Sequence, residues 1–167
     1  MRRFCVAALL LAMTSLAVPA VSAAGKSSCE SSALCLWENY AYGGKQWTYS
    51  ISYWPQNQWD YVGGEANDTV SALYNNRVHA ALVGQNANPQ TEGGGIACIS
   101  PGQSYENLAE WLWPQNGDRA NDSISGFVLY SEVTSCSGDP TLEHLIEGKP
   151  NAGSTTSTES PKPPPSS

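Results

Sequence analysis

Short apolar segments, separated by polar and glycine-rich stretches, make up the middle of the chain. No long helical period runs through them, and β-branched and aromatic residues dominate, which is typical of strands. The pattern predicts strands at residues 34–37, 46–50, 70–74, 78–83, 96–99 and 125–130. Because these strands are short and are interrupted by turn residues, we expect an all-β sandwich.

The N-terminal residues have the composition of a secretory signal. Arg2 and Arg3 precede an apolar run over residues 4–18, and the small residues at 21–23 provide a cleavage site. A membrane anchor is the alternative, but the run is shorter than the ~20 apolar residues that a membrane-spanning helix needs. We therefore expect residues 1–23 to be a signal peptide, and the protein to be secreted and extracellular, with no membrane partner.

The C-terminal residues differ in composition from the rest of the chain. At residues 139–148, Asp139 suits a helix cap and Pro140 suits the first turn, so we expect a short C-terminal helix there. Residues 149–167 are rich in Pro and Ser and hold no apolar side chain larger than alanine, so we expect a disordered tail. The folded domain is then residues 29–136.

An internal repeat organises this domain. W-P-Q-N occurs at residues 54–57 and again at 113–116, and each copy is followed by A-N-D-x-x-S, at residues 66–71 and 120–125. Two shared motifs in the same order indicate two similar structural units. Residues 84–95, which are rich in glycine and asparagine, are predicted to be the loop between the units.

Charge and motif content exclude several classes of function. With a net charge of −7, the chain has no general affinity for nucleic acid or for an anionic membrane. It contains none of the zinc-protease, nucleophile-elbow or phosphate-loop motifs. Two glutamates could in principle pair to cleave glycosides, but isolated carboxylates at strand ends are commonly solvated. We therefore expect a protein that is not an enzyme.

Four cysteines remain after removal of the signal peptide, namely Cys29, Cys35, Cys98 and Cys136. An even number in an exported chain predicts two disulfides, and four cysteines allow three pairings. We favour Cys29–Cys35, a short staple at the start of the domain, and Cys98–Cys136, which ties the second half together. Metal binding is the alternative, but no C-x-x-C pair or nearby histidine supports it.

These features resemble a known fold. The aromatic segment at residues 37–44, which closes on glycine, resembles the first hairpin of a βγ-crystallin Greek key, and the N-D-x-x-S motifs resemble the calcium-site pattern of that family. The resemblance implies a βγ-crystallin-like sandwich of two Greek keys, at about residues 34–83 and 96–136. We expect this domain to be a monomer.

A narrower resemblance concerns function. C-L-W-E-N at residues 35–39 and S-A-L-Y-N-N at 71–76, behind an export signal and a cysteine pair, are similar to secreted proteins of the Streptomyces metalloproteinase inhibitor family. This resemblance implies a peptidase inhibitor that occludes an extracellular metallopeptidase non-covalently with a substrate-like segment. It places that segment at Cys98 and Ile99. The alternative for residues 96–99 is a buried strand.

The repeated N-D-x-x-S motif also predicts a cofactor. Calcium takes roughly six to eight oxygen ligands, which carboxylates, amides, hydroxyls and backbone carbonyls supply. The resemblance implies two calcium sites that exchange a ligand between the keys, built from Asn67, Asp68, Thr69 and Ser71, and from Asn121, Asp122, Ser123 and Ser125. The alternative is that these residues only build turns.

The alternative function is a calcium-binding structural module, or one associated with cell-wall carbohydrate, without inhibitory activity. Tryptophan suits the apolar faces of sugars, so polysaccharide is a candidate partner. Trp54 and Trp113 recur in the repeat, which indicates a structural role. Trp59 does not recur and is the better surface candidate.

Overall fold

The computed structural model describes residues 25–144, so the predicted signal peptide at residues 1–23 and the predicted tail at 149–167 lie outside the described residues. The strands are β1 (Ala33–Asn39), β2 (Gly43–Ser50), β3 (Asp60–Tyr61), β4 (Ala72–Asn75), β5 (Ala81–Gly84), β6 (Ile96–Ile99), β7 (Ser104–Tyr105), β8 (Trp111–Leu112), β9 (Gly126–Leu129) and β10 (Glu143–His144). A short helix, α1, spans Pro89–Glu92, and two 3-10 turns span Lys26–Ser28 and Leu108–Glu110. Among residues 25–144, no helix has the length and apolar character needed to cross a membrane.

The main strands form two four-stranded antiparallel sheets. The first sheet has the order β2-β1-β4-β7, and the second sheet has the order β3-β9-β5-β6. The first key, β1 to β4, contributes three strands to the first sheet and β3 to the second. The second key, formed by β5, β6, β7 and β9, contributes three strands to the second sheet and β7 to the first. The expected all-β sandwich of two Greek keys is confirmed, and each sheet is completed by a strand of the other key.

The boundary between the keys differs from the predicted one. β5, which we expected to end the first key, pairs with β6 and β9 of the second key. Residues 84–95 therefore join β5 to β6 inside the second key. The two keys meet instead at residues 76–80, which we call the connector. Glycine content identified a loop correctly, but it carries no information about which strands that loop joins.

The core lies between the two sheets. Leu34 and Leu36 on β1, together with Phe127 and Leu129 on β9, are fully buried in the central cluster. Successive side chains of a strand point to opposite faces, so Trp37 belongs to a second buried cluster on the outer face of the first sheet. Burial of an apolar side chain of this size stabilises the fold by about 1.5–3 kcal/mol.

Both predicted disulfides are confirmed. Cys29–Cys35 closes a loop of sequence separation 6 on the outer face of the first sheet. Cys98–Cys136, with a separation of 38, joins β6 to the segment that follows β9 and belongs to the buried cluster outside the second sheet. Each sheet therefore carries one disulfide on its outer face.

The predicted helix at residues 139–148 is wrong for the part that the structure describes. Glu143–His144 form β10, which pairs antiparallel with β8, and Leu142 is buried in the central cluster. The peptide N–H of Cys98 donates to the carbonyl of Pro140 at 2.7 Å, which holds the chain extended beside β6. These tertiary contacts outweigh the weak preference of a short isolated helix. The last four residues of the predicted helix lie outside the described residues.

Candidate functional site

The predicted inhibitory segment does not reach the surface. Cys98 and Ile99 are both 0% exposed. They lie in β6 opposite Leu82 and Ala81 of β5, and Ile99 belongs to the central cluster. A buried strand cannot enter a protease cleft unless the sheet unfolds, so the alternative is correct: residues 96–99 form a core strand. A β-branched residue after a cysteine is as typical of such a strand as of a reactive loop.

Exposed apolar side chains mark other candidate contact points. Among residues 25–144, the large apolar side chains at the surface are those of Tyr40, Ile51, Tyr53, Tyr61 and Val78. Val78 is 72% exposed and lies in the connector. Sequence reasoning assigned Val78 to a strand at residues 78–83, but β5 begins only at Ala81. The valine is therefore presented outside the sheet instead of being buried in it.

Buried polar side chains hold the connector from beneath. Asn75 is 0% exposed, and its Nδ2 donates to the carbonyls of His79 at 3.0 Å and Ile99 at 2.9 Å. Arg77 is 5% exposed, and its guanidinium donates to the carbonyls of Ala80 at 3.0 Å and Tyr130 at 2.5 Å. Burial lowers the pKa of Arg77 from its ordinary value, and carbonyl oxygens surround its charge.

The first end of the connector is joined to the N-terminal disulfide loop. The Asn76 N–H donates to the Ala33 carbonyl at 2.9 Å, and the Asn76 carbonyl accepts from the Ser32 N–H at 2.8 Å. The Asn76 side chain donates to the carbonyls of Cys29 and Glu30, both at 3.0 Å. This end of the connector is therefore fixed to the loop that Cys29–Cys35 closes.

The second end of the connector is joined to the C-terminal disulfide segment. The Ala80 N–H donates to the Val133 carbonyl at 2.7 Å, and the Tyr130 N–H donates to the Ala80 carbonyl at 3.2 Å. Both Tyr130 and Val133 precede Cys136, which is bonded to Cys98. The connector is thus clamped between two disulfide-stabilised segments, with the Val78 side chain exposed between the clamps.

This clamping matters for binding. Ordering the backbone costs about 1–2 kcal/mol per residue, and a segment that is already held in one conformation avoids most of that cost when it binds. Uncharged hydrogen bonds contribute about 0.5–1.5 kcal/mol each, and those from a charged group such as Arg77 contribute more. The connector is therefore a rigid, apolar-tipped projection.

The predicted calcium ligands come together in two crossed pairs. The Ser125 hydroxyl donates to Oδ1 of Asp68 at 3.2 Å, and the Ser71 hydroxyl donates to Oδ1 of Asp122 at 3.4 Å. Each pair therefore joins a carboxylate of one key to a hydroxyl of the other. Backbone hydrogen bonds cross between the keys in the same way. The Asp68 N–H donates to the Ile124 carbonyl at 3.3 Å, and the Asp122 N–H donates to the Val70 carbonyl at 3.0 Å.

The remaining residues of the motif support their own turns. Asn67 donates to Oδ2 of Asp68 at 2.7 Å, and Asn121 donates to Oδ2 of Asp122 at 2.6 Å. The Thr69 hydroxyl donates to the carbonyls of Glu65 and Ala66 within its turn, at 2.9 and 3.2 Å. In the second copy, the Ser123 hydroxyl makes the corresponding hydrogen bonds to the carbonyls of Arg119 and Ala120, at 3.0 and 2.9 Å.

The donor set of each crossed pair is small. It offers one carboxylate and one hydroxyl, to which nearby backbone carbonyls could add, whereas calcium takes roughly six to eight oxygens. In the part of the chain that the structure describes, no three His, Cys, Asp or Glu side chains come together as a metal cluster. The described side chains of each pair therefore supply only part of the ligand set of a calcium ion, and water would have to supply the rest.

Trp113 and Trp54 have the structural role that their recurrence predicts, whereas Trp59, the surface candidate, is half-buried like Trp54. Trp113 is 0% exposed, and Trp54 packs against the central cluster. Trp113 Nε1 donates to the Ser123 hydroxyl at 2.9 Å, which links the two repeated motifs of the second key. Trp59 is half-buried and packs against the cluster on the outer face of the second sheet, where it lines an open groove.

One comparison with known proteins, the scan against family models, supports the family resemblance. Residues 22–99 match the model of peptidase inhibitor family I36, the Streptomyces metalloproteinase inhibitor family, which confirms the resemblance drawn from the motifs. A search of curated proteins finds no match. A solved structure, described as "Evolution of the eye lens beta-gamma-crystallin domain fold", aligns with a TM-score of 0.41 and 13% identity, covering 70% of this chain and 89% of the other.

Proposed function

We propose that this protein, which matches a peptidase inhibitor family over residues 22–99, inhibits an extracellular metallopeptidase by inserting the connector into the active-site cleft. The observation that carries the proposal is the exposed Val78 on a segment clamped at both ends. The matched region includes the whole connector. The peptidase class and the extracellular location come from the motif resemblance and from the signal-like N-terminus.

The proposed mechanism needs no reactive group on the inhibitor. The Val78 side chain fills an apolar subsite, and the connector backbone lies along the cleft in place of a substrate. Should the enzyme cut a peptide bond of the connector, the hydrogen bonds from Asn76 and Arg77 would keep both new ends in place. The ends would remain next to each other, so occlusion persists without turnover.

The exposed apolar turn that carries Ile51 and Tyr53 is held less firmly to the domain. Ile51 and Tyr53 lie in a turn closed by its own backbone, in which the N–H groups of Tyr53 and Trp54 donate to the Ser50 carbonyl at 3.1 Å. That loop would lose more conformational freedom on binding than the connector. Tyr53, at 86% exposed, is therefore a matched control position.

An inhibition titration tests the proposal. The oxidised secreted protein is titrated against a thermolysin-like metallopeptidase in excess calcium, with a serine and a cysteine peptidase in parallel. We expect stoichiometric inhibition of the metallopeptidase, weakened at least ~100-fold by Val78→Asp, which is about 2.7 kcal/mol. Tyr53→Asp should inhibit like the parent protein. Absence of inhibition, or equal inhibition by Val78→Asp and the parent, refutes the proposal.

The crossed Asp–Ser pairs favour a second candidate function, a calcium-binding structural module. An ion held by Asp68 and Ser125, or by Asp122 and Ser71, would connect the two keys directly and bind only the folded state. We expect calcium, but not magnesium at the same concentration, to raise the melting temperature. The rise should be smaller in Asp68→Asn and Asp122→Asn. A melting temperature independent of calcium would exclude this candidate.

A further inference from the structure

A groove on the outer face of the second sheet is lined by none of the connector residues and by none of the crossed Asp–Ser pairs. It has a volume of about 390 Å³, which is within the ~300–1,000 Å³ typical of small-molecule sites. Its apolar floor is formed by Leu82 and Val128, which lie directly opposite each other on β5 and β9. The rings of Trp59 and Tyr130 also line it.

The polar part of the groove consists of carboxamides. Asn57, Gln58, Asn88 and Gln90 line it, and no lining residue carries a charge. Each carboxamide both donates and accepts hydrogen bonds. In residues 25–144, the side chains of Gln58 and Gln90 are exposed, and no hydrogen bond ties either of them to the domain. These two side chains are therefore available to a ligand.

Two lining side chains are fixed in place by the fold. Asn57 donates from Nδ2 to the Ser131 hydroxyl at 2.7 Å and accepts the Ser131 N–H at 3.1 Å. The Trp59 ring packs over β5 at Gly84, where an added Cβ would lie 2.8 Å from Cζ3 of the indole and closer still to Pro89 of α1. Glycine at position 84 therefore provides the space that the indole occupies.

One atom of the groove lacks the partner that its burial calls for. Oδ1 of Asn88 is inaccessible to solvent and accepts no hydrogen bond in the described residues. A buried acceptor left unpaired costs about 1–3 kcal/mol, and such atoms in native proteins call for an explanation. A hydroxyl donor from a bound ligand would satisfy this oxygen if the Asn88 side chain turned it toward the groove.

We propose that this groove binds a neutral oligosaccharide segment. Sugar hydroxyls donate and accept hydrogen bonds, as carboxamides do, and the apolar face of a sugar ring packs on an indole such as Trp59. The uncharged lining provides no cation to pair with the phosphates of a nucleotide or with an acidic ligand. This function is distinct from peptidase inhibition, since no residue of the groove is in the connector, although the backbone of Tyr130 bonds to Arg77 and Ala80 of the connector.

Calorimetric titration with three neutral tetrasaccharides tests the inference: chitotetraose, cellotetraose and maltotetraose, with tetragalacturonate as the charged comparison. We expect saturable binding of at least one neutral probe, weakened at least ~10-fold by Trp59→Ala, which is about 1.4 kcal/mol. Tyr53→Ala removes an exposed ring outside the groove and should bind like the parent protein.

A second variant keeps the test independent of the stability of Trp59→Ala. Gln58 and Gln90 are both exposed, so the double change to alanine should leave the fold intact, which circular dichroism checks. We expect this variant also to bind the neutral probe more weakly. The inference would be overturned if no neutral probe bound with a Kd below about 10 mM. It would also be overturned if the charged probe bound equally well, or if both groove variants bound the neutral probe like the parent protein. Peptidase inhibition should be the same in the parent and in both groove variants.

Discussion

The two keys repeat the same motifs but differ in what connects their strands. In the first key, β1 and β2 are joined by a tight hairpin in which Asn39 pairs with Gly43. In the second key, residues 84–95 separate β5 from β6, contain α1 and border the groove. The tryptophan and alanine side chains of the repeat lie in or against the core, and its Asp and Ser side chains lie at the crossing between the keys. Pro55, Gln56 and Asn57 of the first copy are exposed. The repeat therefore builds much of the scaffold and the candidate calcium pairs. The connector and most of the groove lie outside the repeat, and Asn57 is the groove residue that belongs to it.

Substitution of the two W-P-Q-N tryptophans should give the largest difference in stability between the keys. Trp113 is 0% exposed and Trp54 is half-buried. We expect Trp113→Ala to reduce the free energy of unfolding by about 3–5 kcal/mol, and Trp54→Ala to reduce it by clearly less. Urea unfolding of the oxidised proteins measures both. Equal losses would mean that the tryptophans of the two keys are energetically equivalent despite their different burial.

The disulfides give the next largest difference between the keys. The loop-entropy relation assigns about 4 kcal/mol to Cys98–Cys136, with its separation of 38, and about 2 kcal/mol to Cys29–Cys35, with its separation of 6. Serine pairs at each disulfide, unfolded in urea, should reproduce this order. The reverse order would show that native packing at the first disulfide outweighs loop length.

A substitution at Arg77 tests whether peptidase inhibition depends on a rigid connector. Lysine keeps the charge but cannot donate as a fork to the carbonyls of Ala80 and Tyr130. We expect Arg77→Lys to weaken peptidase inhibition about 10-fold, or about 1.4 kcal/mol, through a looser connector. Arg119→Lys is the control, since Arg119 is exposed and donates to one carbonyl, that of Ala109. Inhibition that is equal in both variants would contradict a clamped connector.

The crossed serines should give the smallest effect. Ser125 is 6% exposed, whereas Ser71 is half-buried and its hydrogen bond is longer. We expect Ser125→Ala to cost about 1 kcal/mol of stability and Ser71→Ala about half of that. Thermal melting with and without calcium distinguishes the two variants further. Each variant should bind calcium less well at the pair that contains the substituted serine. Equal losses of stability and equal calcium responses in the two variants would show that the two Asp–Ser pairs contribute equally.

Much of the scaffold follows from the sequence. The two keys and the structural role of the repeated tryptophans could be predicted, since repetition is a direct signal. Cysteine count predicts two disulfides but leaves three pairings open, and the favoured pairing is the one present. The exchanged strands Asp60–Tyr61 and Ser104–Tyr105 could not, because two residues are too few to show a strand period. Their pairing depends on contacts between distant parts of the chain.

The candidate site was harder to predict than the scaffold. Its main support is Arg77, and arginine is so rarely buried that the residue type alone indicates an exposed position. Val78 likewise extends an apolar run that continues into β5, so nothing local separates the exposed valine from the buried residues after it. Only the boundary between the keys, which composition misplaced, reveals that Val78 lies outside the sheet.

The strand exchange between the keys has a consequence for the order of synthesis. A nascent chain contains β1, β2 and β4 well before Ser104–Tyr105, which complete the first sheet. The N-terminal half cannot finish folding while the rest is still being made, and its pairing must wait for residues that emerge late. Formation of such long-range contacts is slow, so we expect the β4–β7 pairing to form after β1, β2 and β4 have paired.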